Sequence, residues 1–325
     1  MKNVTVIGGG TGTFVVLSGL KKYDYSLSAV VTSMDSGGST GRLRDQYGVL
    51  PPGDVRQCLV ALSEASDLWR KLFLYRFEQG DFKGHNFGNI FLTALEKITA
   101  PNYQKVIDTA SYILHTKGKV IPVTLDRVHL CAEYADGETL MSEDLIDSAF
   151  HKESLIKRAF LKPQAVSNPS AVEAIMTADY IILGPGDLYT SIIPNLLVDG
   201  ICEALSKTKA KIIFNINLMT KRGQTAHFSA TQHLLELEKY MKRTIDIAVV
   251  NNKTISKEIR NYYLKYGENE VKDDLDLFSE HRLNIFRADL VDRSAHATAL
   301  SDVIIRSLQR HDPEKLAKVL SSVIQ

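Results

Sequence analysis

Val4-Thr5-Val6-Ile7-Gly8-Gly9-Gly10-Thr11-Gly12-Thr13 is the stretch that decides the fold. A short apolar, β-branched run stops at three glycines, the pattern of a buried strand entering a tight turn. Thr13 to Leu20 then reads as a helix and Leu27 to Thr32 as a second strand, so the chain opens with a βαβ unit. A glycine loop in that position sets backbone N–H groups and a helix N-terminus where they can hold a phosphate. The loop is not the dinucleotide fingerprint, because Thr13 stands where the third glycine belongs. A tight strand-to-helix turn without a ligand is the plainer alternative.

The same grammar returns later in the chain. Tyr180-Ile181-Ile182-Leu183 runs into Gly184-Pro185-Gly186, Lys211-Ile212-Ile213-Phe214 into Asn215, and the apolar stretch from Ile245 to Val250 into Asn251. Parallel strands with their carboxyl ends on one edge satisfy this alternation most economically. Residues 119–163 alternate over shorter, more polar runs, which predicts a small antiparallel excursion between a first half at about 1–118 and a second at about 164–325 of a single α/β unit. Asp54 is read as the cap of a helix running through Val55, Leu59 and Leu62, with Gln57 reaching back. Ser229 and Gln232 have capping-box spacing, and Asp312-Pro313 starts a last amphipathic helix. The charged run from Lys257 to Glu280 predicts a solvated insertion rather than a binding surface.

Composition excludes several classes. The 325 residues carry 39 Lys and Arg against 38 Asp and Glu, so no strong overall field exists to grip a nucleic acid or an anionic membrane. Cys58, Cys131 and Cys202 are odd in number and far apart, which argues against a disulfide framework or a structural zinc site. No apolar stretch reaches membrane-spanning length and Met1 to Ile7 lacks a secretory h-region, so a cytoplasmic protein is expected.

Three polar glycine loops converge on one sheet edge and predict a cleft. In the first, Gly8 to Thr13 cradle phosphate. In the second, Asp35-Ser36-Gly37-Gly38-Ser39-Thr40-Gly41-Arg42, Asp35 could bind a ribose hydroxyl, hold Mg²⁺ between phosphates or accept a proton, and could equally start the turn through its own side chain. Arg42 is a phosphate-clamp candidate or an ordinary surface charge. Gly37-x-Ser39-x-Gly41 spells a hydrolase nucleophile elbow but lacks its context. In the third loop, Gly184, Pro185 and Gly186 allow close backbone approach, Asp187 offers a carboxylate and Tyr189 a stacking ring, with Thr190 following; a helix cap and a core aromatic are the alternatives for Asp187 and Tyr189. His85, Asn86 and Asn89 could fix a sugar or serve as turn formers. Asp35 and Asp54 are the candidate catalytic carboxylates.

Taken in order, Gly-Gly-Gly-Thr-Gly, Asp-Ser-Gly-Gly-Ser-Thr-Gly-Arg-Leu-Arg, Pro-Pro-Gly-Asp-Val-Arg, Gly-His-Asn-Phe-Gly-Asn and Gly-Pro-Gly-Asp-Leu-Tyr-Thr-Ser resemble the YvcK/CofD-like family from Val4 to about Thr298. The match leans to the gluconeogenesis-factor branch, linked to cell shape, over the 2-phospho-L-lactate transferase branch. The resemblance implies a Rossmann-like, mostly parallel sheet flanked by helices, a nucleotide-type ligand such as a UDP-sugar, and a homodimer; NAD or GDP, and Mg²⁺ on the carboxylates beside the loops, are the alternatives the cleft leaves open. It places Gly8 to Thr13, Asp35 to Arg42, Asp54, His85, Asn86, Asn89 and Gly184 to Thr190 around the cleft. Asp187 departs from that branch's usual serine, and Lys221-Arg222 from its usual Gln-Pro; Thr298 stands where the family pattern suggests regulation.

Overall fold

A computed structural model describes residues 1–277, 283–294 and 308–325. β1 (Lys2–Gly8), α1 (Gly10–Leu20) and β2 (Tyr25–Val31) form the expected parallel βαβ unit, with Ile7 opposite Val30. α2 (Gly38–Tyr47), α3 (Pro52–Leu62), α4 (Asp67–Leu74), α5 (Phe87–Thr99) and α6 (Tyr103–Leu114) follow before the edge strand β3 (Lys119–Pro122). β4 (His129–Tyr134), β5 (Thr139–Met141), the short α7 (Glu143–Asp147) and β6 (Ile156–Lys162) come next. The chain returns through α8 (Pro169–Met176), β7 (Tyr180–Leu183), α9 (Ile193–Leu196), α10 (Ile201–Lys207), β8 (Lys211–Asn215), α11 (Ala230–Met241), β9 (Ile247–Asn251), α12 (Lys257–Lys265) and β10 (Asn284–Ala288) to α13 (Pro313–Val323).

The main sheet has the order β10-β9-β8-β7-β1-β2-β3, parallel throughout, and β5-β4-β6 form a separate antiparallel sheet. The excursion therefore begins later than the sequence suggests: Lys119–Pro122 pairs with β2 as the seventh strand, and the antiparallel sheet starts at His129. Both faces of the main sheet are covered. Val4 and Val6 pack with α1, α3 and α13 on one side, while Ile7 joins Ile181, Leu183 and Phe214 on the other. Burial on two faces is why these strands read as unbroken apolar runs.

Strand order reverses where β1 lies between β2 and β7. The loops that leave β1 and β7 cannot both cross to the same side there, and they open a crevice at the carboxyl edge. The Ser229–Gln232 capping box and the Asp312 cap on α13 form as expected, and all three cysteines are free thiols. Asp54 does not cap α3: the helix starts at Pro52, and Asp54 sits in its first turn, where a carboxylate is favoured by the exposed N–H dipoles. Among the described residues no helix is long and apolar enough to cross a membrane.

Candidate functional site

The crevice between β1 and β7 holds a cavity of about 260 Å³. Pockets that enclose a drug-sized molecule span roughly 300–1,000 Å³, so this cavity lies just below that range. Its floor is built from glycines that leave room for their neighbours. Gly10 opens α1 at φ +60°, a conformation costly for any residue with a Cβ. The first N–H groups of that helix have no partner within it, and Gly10 to Gly12, which carry them, line the cavity. A Cβ on Gly9 would meet the Asp54 carboxylate at 2.4 Å, and one on Gly53 would meet Asp35 at 2.4 Å. The first turns of α1 and α3 are thereby pressed against the two candidate carboxylates.

Asp35 has two placements at once. Its Oδ1 accepts from the Gly37 N–H at 3.0 Å, the turn-starting role, and the residue also lines the cavity. The glycine segment that follows is not all loop: Gly38 begins α2, so Ser39 and Thr40 line the cavity from a helical first turn. Ser39 Oγ accepts from the Asn86 N–H at 3.1 Å and the Asn89 amide at 3.3 Å, and lies 3.3 Å from His85 Nδ1. Burial, with Arg42 and Arg76 nearby, holds the His85 pKa below its ordinary value. Ser39 is thus a junction binding α2 to the α5 cap and not the tip of a strand–turn elbow. Asn89 in turn accepts from Arg56 Nε at 2.7 Å, which fixes that buried guanidinium at the cavity wall.

Gly9 to Gly12, Asp35, Gly37, Ser39, Thr40, Asp54, Asn89, Pro185, Gly186, Asp187 and Thr190 meet in one cavity. Others stand behind it. Thr13 is fully buried and its hydroxyl donates to the Gly9 carbonyl at 3.3 Å. Ser36 is tied to Asp144, its hydroxyl donating at 2.7 Å. Gly8, Gly38, His85, Asn86 and Gly184 shape the lining loops without lining the cavity themselves. Two expectations are corrected. Arg42 is exposed and donates to the Lys83 carbonyl at 3.2 and 3.3 Å, away from the cavity. Tyr189 is 1% exposed with its hydroxyl on Glu236 at 2.8 Å, so it is a core aromatic and offers no stacking face.

The cavity also gathers residues that the sequence did not place in the cleft. Lys221 reaches Asp187 at 2.6 Å and is also bonded to Asp147. Burial pulls the lysine pKa down, but the two carboxylates outweigh it and raise it overall. Glu143 is pushed well up by burial and by Asp35 and Asp147. Glu268, 8% exposed, accepts from the Arg222 N–H at 3.2 Å, and burial lifts its pKa to about 7. Tyr262 and Tyr263 of α12 and Tyr266 just past its end line the cavity, the Tyr262 and Tyr266 rings 5.0 Å apart. Part of the charged run read as a solvated insertion is therefore cavity wall. The hint for Lys221 was positional, since Asn215 ends a strand on the same edge as the glycine loops. For the three tyrosines we find no sequence signal. Thr298 lies outside the described residues.

Six carboxylates (Asp35, Asp54, Glu143, Asp147, Asp187 and Glu268) line this cavity together with Arg56, Arg76, Lys221 and Arg310. Among the described residues no group of three or more His, Cys, Asp or Glu is arranged to hold a metal ion. Mg²⁺ commonly rests on one or two carboxylates plus substrate phosphates, so an ion here would depend on the ligand for its remaining partners.

A doubly wound parallel sheet with a glycine-lined cleft at its switch point defines the class. The family model described as 2-phospho-L-lactate transferase CofD matches residues 4–291. A gluconeogenesis factor of Bacillus subtilis is 38% identical over 325 residues, covering 99% of this chain and 98% of its own. That of Halalkalibacterium halodurans is 40% identical over 285 residues, 87% and 86% of the two chains. A crystal structure of a UPF0052-family protein from Bacillus halodurans superposes with a TM-score of 0.89 at 36% identity, covering 98% and 99%. The chain belongs to the CofD-like family that includes the gluconeogenesis factors.

Proposed function

We propose that the cleft binds a nucleoside diphosphate of the UDP-sugar type, and that the protein senses this ligand to regulate carbon flux into cell-wall precursors and cell shape. The observation that carries the reading is the convergence, at one switch point, of the α1 N-terminus with the cavity-lining Arg56, Arg76, Lys221 and Arg310. Backbone N–H groups and fixed cations together favour a diphosphate, while the partly exposed Tyr262 and Tyr266 supply faces for a base or sugar. Ser39, the one hydroxyl with nucleophile spelling, is committed to two donors, which favours sensing over covalent turnover. Binding to the native state must raise its stability. Thermal unfolding should therefore shift upward with UDP-glucose at sub-millimolar concentration, and an unchanged midpoint removes the proposal. A homodimer belongs to the same reading, with the exposed Leu68, Trp69 and Tyr75 on and beside α4 as the face a second copy would cover.

The excess of carboxylates over cations favours a second reading, a phosphoryl or nucleotidyl transferase of the CofD type. In it, Asp35 and Asp54 would share a divalent cation with the ligand's phosphates, the ion neutralising charge that develops there. Nucleotide release from a diphosphate-linked donor, dependent on Mg²⁺ and abolished in Asp35→Asn, supports this reading; no release with any donor and acceptor pair that binds favours sensing.

A further inference from the structure

Three hydrogen-bond acceptors on residues that line the cavity have no partner among the described residues: Asn217 Oδ1, Gln309 Oε1 and His311 Nε2. Gln309 and His311 are each 5% exposed. The remaining polar atoms of these side chains are committed to the protein. Asn217 Nδ2 donates to the Gly186 carbonyl at 2.8 Å. Gln309 Nε2 donates to the carbonyls of Asp292 and Arg310 at 2.7 and 3.2 Å. The His311 ring bonds the backbone of Ile216, and burial takes its pKa down to about 4. With one ring nitrogen carrying the proton toward Ile216, Nε2 is left as a neutral lone pair.

These atoms belong to one corner of the site. Asn217 follows Ile216, which holds His311, and Asn217 itself clasps the third glycine loop, whose Pro185 packs on Gly12 of the first. A buried acceptor without a donor is unfavourable and rare. Acceptors left this way disfavour phosphate oxygens, which can only accept, and suit groups that donate.

We propose that Asn217, Gln309 and His311 form a hydroxyl-reading subsite that orients and selects the sugar joined to the diphosphate. The proposal rests on the reading of the cleft as a diphosphate site. The phosphates face the first glycine loop, and the sugar's hydroxyls donate to the three bare acceptors. The sugar so read is either the ribose or the hexose beyond the phosphates, and the chemistry demanded of it is the same.

Calorimetric titration of the full chain with UDP, 2′-deoxy-UDP and UDP-glucose separates these sources. We expect at least one ratio, UDP-glucose over UDP or UDP over 2′-deoxy-UDP, to favour the additional hydroxyls by roughly fivefold or more. In Gln309→Met that ratio should fall to less than about twofold, because the substituted side chain has no comparable acceptor. Two flat ratios in the wild-type chain overturn the subsite, as does a preference that survives unchanged in Gln309→Met. The wild-type arms decide the matter even if the variant fails to fold. Binding of UDP with flat ratios removes only the subsite, whereas no binding of UDP or UDP-glucose removes the diphosphate reading beneath it.

Discussion

The carbonyl oxygen of Pro185 occupies the space that a side chain would take on Gly12: a Cβ built on Gly12 lies 1.8 Å from it. The first and third glycine loops are thus one structure, each shaped to the other across the switch point. Gly12→Ala should force the loops apart and destabilise the fold by about 1–3 kcal/mol. Urea unfolding measures the stability, and ligand titration should show the cleft weakened more than the fold. An alanine variant as stable and as competent as the parent would show that the loops are not locked in this way.

Lys221 keeps Asp147 and Asp187 together at the cavity wall. Removing it in Lys221→Met leaves two close carboxylates with like charge in a partly buried setting. The three side chains are 15%, 23% and 28% exposed, so solvent screening moderates the effect to about 1–3 kcal/mol at neutral pH. Burial already raises the Asp147 pKa, and loss of the ammonium raises it further, so the defect should shrink as pH falls and a proton takes the cation's place. The double variant Lys221→Met/Asp187→Asn should recover much of the loss. Equal defects at pH 5 and pH 8 would contradict this.

Glu268 carries a distinct pH signature. Its pKa is lifted from the model-peptide 4.5 to about 7, so the folded chain holds its proton where the unfolded chain has lost it. The stability this gives is fully present below 4.5 and is lost as pH rises through about 7. Glu268→Gln keeps an acceptor for the Arg222 N–H without the charge. It should flatten the stability profile between pH 5 and 7 and gain on the order of 2 kcal/mol near pH 8. A pH profile of unfolding free energy for both proteins checks the sign.

Ser39→Ala separates junction from nucleophile. Loss of the hydroxyl leaves the buried Asn86 N–H and Asn89 amide short of an acceptor, a cost of about 1–3 kcal/mol. A variant of unchanged stability would deny Ser39 its junction role.

The sequence was most readable where backbone geometry restricts residue choice. Gly10 and Gly186 stand at φ +60° and +154°, and the β-branched strands that precede the glycine loops are buried on both faces, so the switch-point crevice was legible as three loops on one edge. Roles that depend on which way a side chain turns were not. Tyr189 and Tyr266 are the same residue type beside the same cleft, yet one is locked onto Glu236 in the core and the other lines the cavity. Asp54 has cap spacing, but Pro52 starts the helix two residues earlier and turns Asp54 toward Gly9. Gln309 and His311 are at the site because His311, just before α13, is bonded to Ile216, a long-range contact that no local pattern encodes.

The central claim is that the cleft at the β1–β7 switch point is a diphosphate site, and calorimetric titration with UDP and UDP-glucose tests it most directly. The account predicts saturable binding with a dissociation constant in the micromolar range, about −8 kcal/mol, abolished or weakened at least tenfold in Gly12→Ala. No heat of binding from either nucleotide at millimolar ligand, with the protein folded, would contradict it.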